Sequence, residues 1–153
     1  MAAASSTVDF LASNSLRRPG AFTPLEDGGM IASANLAERL RPLQLRLQAF
    51  LRLEDNWDSY GAKPVHRANA EAAIRLLQSL VRANGPLPSL VPTVTGGVQI
   101  EWRAGGRALD LEIIAPSRFV MIFEDPSHDI LEEEELGPDL APFKAAFDRL
   151  VAA

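Results

Sequence analysis

The hydrophobic period of this chain changes at Pro86, and that change limits the fold more than any other feature. Before it, Leu36, Leu40, Leu43, Leu47 and Phe50 recur at spacings of four, three, four and three, one stripe of an amphipathic helix. After it, Val98, Ile100 and Trp102 alternate with Gln99, Glu101 and Arg103, as Leu109, Leu111 and Ile113 do with Asp110 and Glu112. That alternation is the mark of half-buried strands. Helices first and strands afterwards predict an α+β domain: two N-terminal helices, an antiparallel meander of three to five strands, and one C-terminal helix.

The first helix is expected from Ser33 until Asp55-Asn56 ends it, kinked or restarted at Pro42, which lacks an amide hydrogen. Its stripe is too short for a coiled coil, so it should face a core. A second helix should run from Arg67 to Asn84 on Ala70, Ala73, Ile74, Leu77 and Val81, stopped by Asn84-Gly85-Pro86. A last one should follow Gly137-Pro138-Asp139, with Leu140, Phe143, Phe147 and Leu150 inward. Residues 1–32 read as an N-terminal arm. Its low-complexity start and its Pro and Gly argue for disorder, while Val8, Phe10, Leu11 and Leu16 would let it dock; both remain open. Residues 33–153 then form a single domain.

At 153 residues, 47% of them hydrophobic, the chain can build one sizeable core. A net charge of -5 excludes a generally basic nucleic-acid binder, and no apolar run approaches the length of a membrane span. With no cysteine, thiol catalysis and thiolate metal sites are excluded. The start of the chain lacks the basic-then-apolar order of a secretion signal, so a cytoplasmic protein is expected. No phosphate-binding loop, nucleophile elbow or His-Glu-x-x-His occurs. The Ser127-His128 pair reads as a turn. No cofactor, metal or catalytic group is expected.

Strand registers follow from keeping apolar residues on one face. Ile100 should pair with Leu111 and Trp102 with Leu109 around a two-residue Gly105-Gly106 turn, which sets Glu101 opposite Asp110 with Glu112 diagonal. Like charges directly opposite are mildly destabilising, so these three carboxylates are a candidate cation or acid–base cluster. The competing reading is a solvated face balanced by Arg103 and Arg107. A two-residue turn at Gly96-Gly97 would place Val91 opposite Trp102, and Pro92 opposite Glu101 on an edge strand. A turn at 115–118 would pair Ile113 with Val120 and Leu111 with Ile122. Phe119, Met121 and Phe123 would then form an apolar ridge on the other face, beside the acids. Ile130–Leu136 would add a fifth strand at the edge of the sheet.

Two loops complete the set of motifs. Asn56-Trp57-Asp58-Ser59-Tyr60-Gly61-Ala62, with Pro64, is dense in turn formers; Asn56 and Asp58 should bond turn amides, while Trp57 and Tyr60 plug the gap between helices and sheet. His66 should start the second helix. This loop, taken with Pro92-Thr93 and Gly96-Gly97-Val98-Gln99-Ile100-Glu101-Trp102, resembles an uncharacterised family of short bacterial proteins. In that family an Asn-Trp-Asp-Gly-Tyr-Gly-Ala loop precedes a helix and a Gly-Gly hairpin ending in Glu-Trp. The likeness spans about Leu47 to Glu135, with Ser59 departing from the family's Gly. It implies a bacterial origin and no established activity.

The strongest charge signal is acidic. Glu124 to Asp139 holds eight carboxylates and no Lys or Arg, so the rest of the chain nets +3. Such a run either discourages sheet aggregation or docks a basic partner. The sequence therefore points to a non-catalytic protein-interaction module, an antitoxin-like or immunity-like partner subunit. Phe119, Met121, Phe123, Glu132, Glu133, Glu134 and Glu135 are its candidate contact residues. The partner would be another protein, basic in character, or a second copy, with no membrane; direct nucleic-acid binding through the helix arginines ranks third. The alternative is a metal-assisted hydrolase or nuclease built on Glu101, Asp110 and Glu112.

Overall fold

The stripe that starts at Leu36 belongs to a longer helix than its spacing suggests. In the computed structural model, which describes residues 23–152, α1 spans Thr23–Phe50. Pro24 falls in its first turn, where an absent amide hydrogen costs nothing, and Gly28 and Gly29 each cost only about 1 kcal/mol against Ala. Pro42 lies inside the helix without ending it. Of the arm expected over 1–32, residues 1–22 lie outside the described residues and 23–32 belong to α1. Contacts divide the chain into two units, Met1–Ala37 and Glu38–Ala153. The second holds the C-terminal part of α1 and every element after it.

Helix α2, Arg67–Leu80, ends four residues before the expected stop. Val81 turns extended there, its N–H still closing on the Leu77 carbonyl at 2.9 Å and its side chain buried. Five strands follow: β1 Ser89–Pro92, β2 Val98–Ala104, β3 Arg107–Ala115, β4 Arg118–Asp125 and β5 Ile130–Leu136. They form an antiparallel meander in sequence order, and α3, Ala141–Val151, completes the α+β domain.

The β2–β3 hairpin has the expected register. Ile100 pairs with Leu111, Trp102 with Leu109 and Glu101 with Asp110. Gly105 and Gly106, at φ 57° and 78°, supply the two positive φ values that such a turn demands.

The β1–β2 connection differs. Pro92 pairs with Val98 and Leu90 with Ile100, leaving residues 93–97 as a five-residue loop. The Thr93 hydroxyl closes it by accepting from the Gly97 N–H at 3.0 Å. The glycines serve close approach instead of a two-residue turn. A Cβ on Gly97 would collide with the Ile113 carbonyl oxygen, and one on Gly96 would lie 2.7 Å from the His66 ring.

The β3–β4 pairing corrects the expected ridge. Ala115 faces Arg118 as the turn requires, but a bulge then intervenes, and Ile113 pairs with Phe119 and Leu111 with Met121. One extra residue on β3 slips the register by one and exchanges the faces of β4. Phe119, Met121 and Phe123 are therefore core residues, 4%, 3% and 1% exposed, and cannot form an open partner-binding ridge. Val120 and Ile122 take the other face, half-buried.

The apolar stripes of α2 and α3 meet the Trp102 face of the sheet. Leu47 and Phe50 of α1, Ala73 and Leu77 of α2, and Phe143 and Leu150 of α3 are buried with it. Trp102, fully buried, meets the rings of Phe143 and Phe147 at centroid distances of 5.6 and 5.7 Å. Its aromatic neighbours thus come from the last helix. Each buried Leu or Phe among them contributes about 1.5–3 kcal/mol by leaving water.

The bulge makes a clear expectation for stability. Met121→Ala should cost about 2–5 kcal/mol in urea unfolding, as a core truncation does. Ile122→Ala should cost markedly less, about 1 kcal/mol. The reverse order would restore the register without a bulge.

Candidate functional site

The loop Asn56–Ala62 is held by its own hydrogen bonds. The Asn56 carboxamide oxygen accepts from the Gly61 N–H at 2.7 Å, and the Asn56 N–H donates to the Ala62 carbonyl at 2.7 Å. Asp58 Oδ1 accepts from the N–H groups of Tyr60 and Ala62 at 2.8 and 3.0 Å; these bonds, Ala62 first, hold its carboxyl below the usual range. Positive φ at Asn56, Ser59 and Gly61 gives the loop its shape, and Ser59 adopts at φ 66° a conformation that favours glycine. Trp57 is half-buried, its indole N–H donating to the Lys63 carbonyl at 3.0 Å. Tyr60 does not plug the core as expected: it is 93% exposed. With both of its neighbours' backbone turns satisfied by Asn56 and Asp58, nothing draws its ring inward.

This loop is joined to the 93–97 loop. Lys63 N–H donates to the Val94 carbonyl at 2.8 Å, and His66 N–H, at the start of α2, donates to the Gly96 carbonyl at 2.9 Å. Buried Asn69 adds a side-chain link that sequence spacing does not reveal. Its Nδ2 donates to the Gly96 carbonyl at 3.0 Å and to the Ile114 carbonyl, within the β3 bulge, at 3.2 Å.

The three expected carboxylates do share the open face, the one turned away from the helices. Two of them, Glu101 and Asp110, are engaged by protein side chains. Arg103 forms an ion pair with Asp110 and lies 3.8 Å from Glu101, and the carboxylates raise its already high pKa, Asp110 foremost. Gln99 and Ser89 donate to Glu101 at 3.0 and 3.3 Å. Glu112 lies opposite Gln99. A guanidinium therefore occupies the place a cation would take, and among the described residues no group of three or more His, Asp or Glu has metal-binding geometry.

Asp125, buried at the end of β4, is a hub that the sequence did not single out. It accepts from the Ser127 hydroxyl at 2.5 Å, from His128 Nδ1 at 2.8 Å and from Arg107 Nε at 2.9 Å. These bonds, Ser127 foremost, hold its carboxyl far below the usual range. The set has the residue types of a nucleophilic triad but not the order. In a triad the imidazole bridges hydroxyl and carboxylate through its two different ring nitrogens; here Ser127 Oγ, at 3.0 Å, and Asp125 Oδ2 both meet the same nitrogen, His128 Nδ1, and Asp125 also accepts directly from Ser127. Asp125 thus caps the Pro126–His128 turn and anchors Arg107, whose Nη1 reaches the Arg149 carbonyl at 2.9 Å. The pattern Asp-Pro-Ser-His was its only signal in the sequence.

On β5, Glu132, Glu133, Glu134 and Glu135 are all exposed, as is Leu131 at 70%. Glu132 lies on the helix side, where Arg149 of α3 grips it with two bonds of 2.7 and 3.1 Å while stacking 4.2 Å above Phe123. Glu133 and Glu135 share the open face with Glu101, Asp110, Glu112 and Glu124. Among the described residues, only Arg103 and Arg118 offset these six carboxylates, and Arg118 lies 3.8 Å from Glu135. Val91, Val120, Ile122 and Leu131 are interleaved among them. A depression of about 680 Å³ between Leu80, Pro86, Ala104, Phe147 and Val151 holds none of the expected site residues.

No family model matches the chain, and no curated protein or solved structure matches it either.

Asp125 has a pH signature. Its folded-state pKa is depressed, so its stabilisation is present above the ordinary carboxylate value near 3.8 and is lost as pH falls below it. Thermal melts from pH 6 down to about pH 2 should show the protein weakening below about pH 5. Asp125→Asn should be less stable at pH 6 and lose less on acidification. A variant that kept the full acid sensitivity would place its origin elsewhere.

Proposed function

We propose that this chain is a non-catalytic partner subunit, antitoxin-like or immunity-like in action, that covers a basic surface on another protein. The observation that carries this reading is the open face of the sheet. It combines six carboxylates, two guanidinium groups and a strip of half-buried aliphatic side chains, with no helix of the Glu38–Ala153 unit laid over it. Interfaces need both elements: apolar area for affinity, and complementary charge for orientation and rate. The contact residues on this reading are Glu133 and Glu135, kept from the sequence expectation, together with Val120, Ile122 and Glu124. Phe119, Met121 and Phe123 support the face from beneath.

A purely protective role for the acidic strand would account for β5 alone, since edge charges deter aggregation. It does not account for acids continuing across β2, β3 and β4, where there is no edge to protect. Arg103 engages Asp110 and Glu101 and leaves the rest of the face acidic.

Immobilised protein incubated with soluble extract of its source organism at low ionic strength should retain a basic protein and release it as salt rises. Glu133→Lys combined with Glu135→Lys should weaken that retention at least tenfold while leaving the melting temperature unchanged. Arg41→Glu, on α1, should have no effect. Retention indifferent to the double charge reversal would contradict the proposal.

A further inference from the structure

The two edges of the sheet are not alike. At one edge, β1 has four residues, ends on Pro92, which has no amide hydrogen to offer, and has its Leu90 carbonyl engaged by Arg46 Nε at 2.8 Å. At the other, β5 runs for seven residues, Ile130–Leu136, each paired to β4 on one side only. Among the described residues, no side chain donates to or accepts from the β5 backbone. A seven-residue strand offers several unpaired N–H and C=O groups, the requirement for adding another strand.

We infer that β5 accepts an extended, lysine- or arginine-rich segment of the partner as a sixth, antiparallel or parallel strand. The inference rests on the reading of the partner as basic and adds how it binds. Charge selects the occupant. Glu133 and Glu135 face one side of the sheet, and Glu132 and Glu134 the other, so any strand laid along this edge meets carboxylates on both faces. Opposite charges directly across a strand pair are stabilising and like charges are not. A second copy of β5 would set four glutamates against four, which disfavours a dimer through this edge. A basic strand meets no such penalty, and its backbone bonds would satisfy groups that now face solvent. Leu131, 70% exposed, adds apolar contact on the open side.

The probe is an eight-residue peptide of alternating lysine and threonine, titrated into the full chain at low ionic strength. Its counterpart has the same sequence but N-methyl groups on two consecutive central residues, which remove one donor from each edge of the peptide and leave its charge intact. Binding of the first peptide, at least tenfold weaker binding of the second, and slowed amide exchange within Ile130–Leu136 are expected. Equal binding of both peptides without slowed exchange would overturn strand addition while leaving the basic-partner reading in place. Binding of neither peptide, or binding unchanged by Glu133→Lys with Glu135→Lys, would overturn both.

Discussion

A single buried amide ties helix α2 to the 93–97 loop and to the bulge of β3. Asn69 Nδ2, in the first turn of α2, donates to the Gly96 carbonyl in the 93–97 loop and to the Ile114 carbonyl in the β3 bulge. A bulge leaves one residue outside the ladder, and its buried polar groups cost about 1–3 kcal/mol each if unpaired. Asn69 supplies a donor to that carbonyl from outside the sheet. The same side chain fixes how closely the two glycines approach His66 and Ile113, where any side chain at Gly96 or Gly97 would collide.

From the bulge follows the sorting of β4. With Ile114 outside the pairing, Phe119, Met121 and Phe123 turn toward the helices, and Val120 and Ile122 join the acids. Arg149 then closes the far side, stacking on Phe123 and holding Glu132, while Asp125 and Arg107 tie the end of β4 to α3. A well-anchored sheet thus presents an acidic, partly aliphatic face. On the proposed reading, that face serves recognition. Of its carboxylates, Glu101 and Asp110 are engaged by Arg103, Gln99 and Ser89, and the Ser127-His128-Asp125 grouping is wired as a turn.

Much of this was legible in the sequence, for identifiable reasons. The change of period at Pro86 separated helices from strands, and Gly105-Gly106 determined the β2–β3 register because few residues tolerate two successive positive φ values. The acidic edge strand was visible as composition. What escaped was every feature resting on a contact distant in sequence. The bulge depends on an asparagine 45 positions away, and nothing local marks Ile114 as unpaired. Gly96-Gly97 looks like a hairpin turn and instead makes room for neighbouring backbone. Tyr60 looks like core and is not, because the loop satisfies its own backbone and never needs the ring. Asp125 was hidden because Arg107 lies eighteen residues upstream.

The register of β4 is the point on which both the core and the proposed docking face depend, and cross-strand nuclear Overhauser contacts measure it directly. Backbone contacts linking Leu111 to Met121, Ile113 to Phe119 and Asp110 to Ile122 are the result this account requires. Contacts linking Leu111 to Ile122 and Ile113 to Val120 would return Phe119, Met121 and Phe123 to the open face and contradict it.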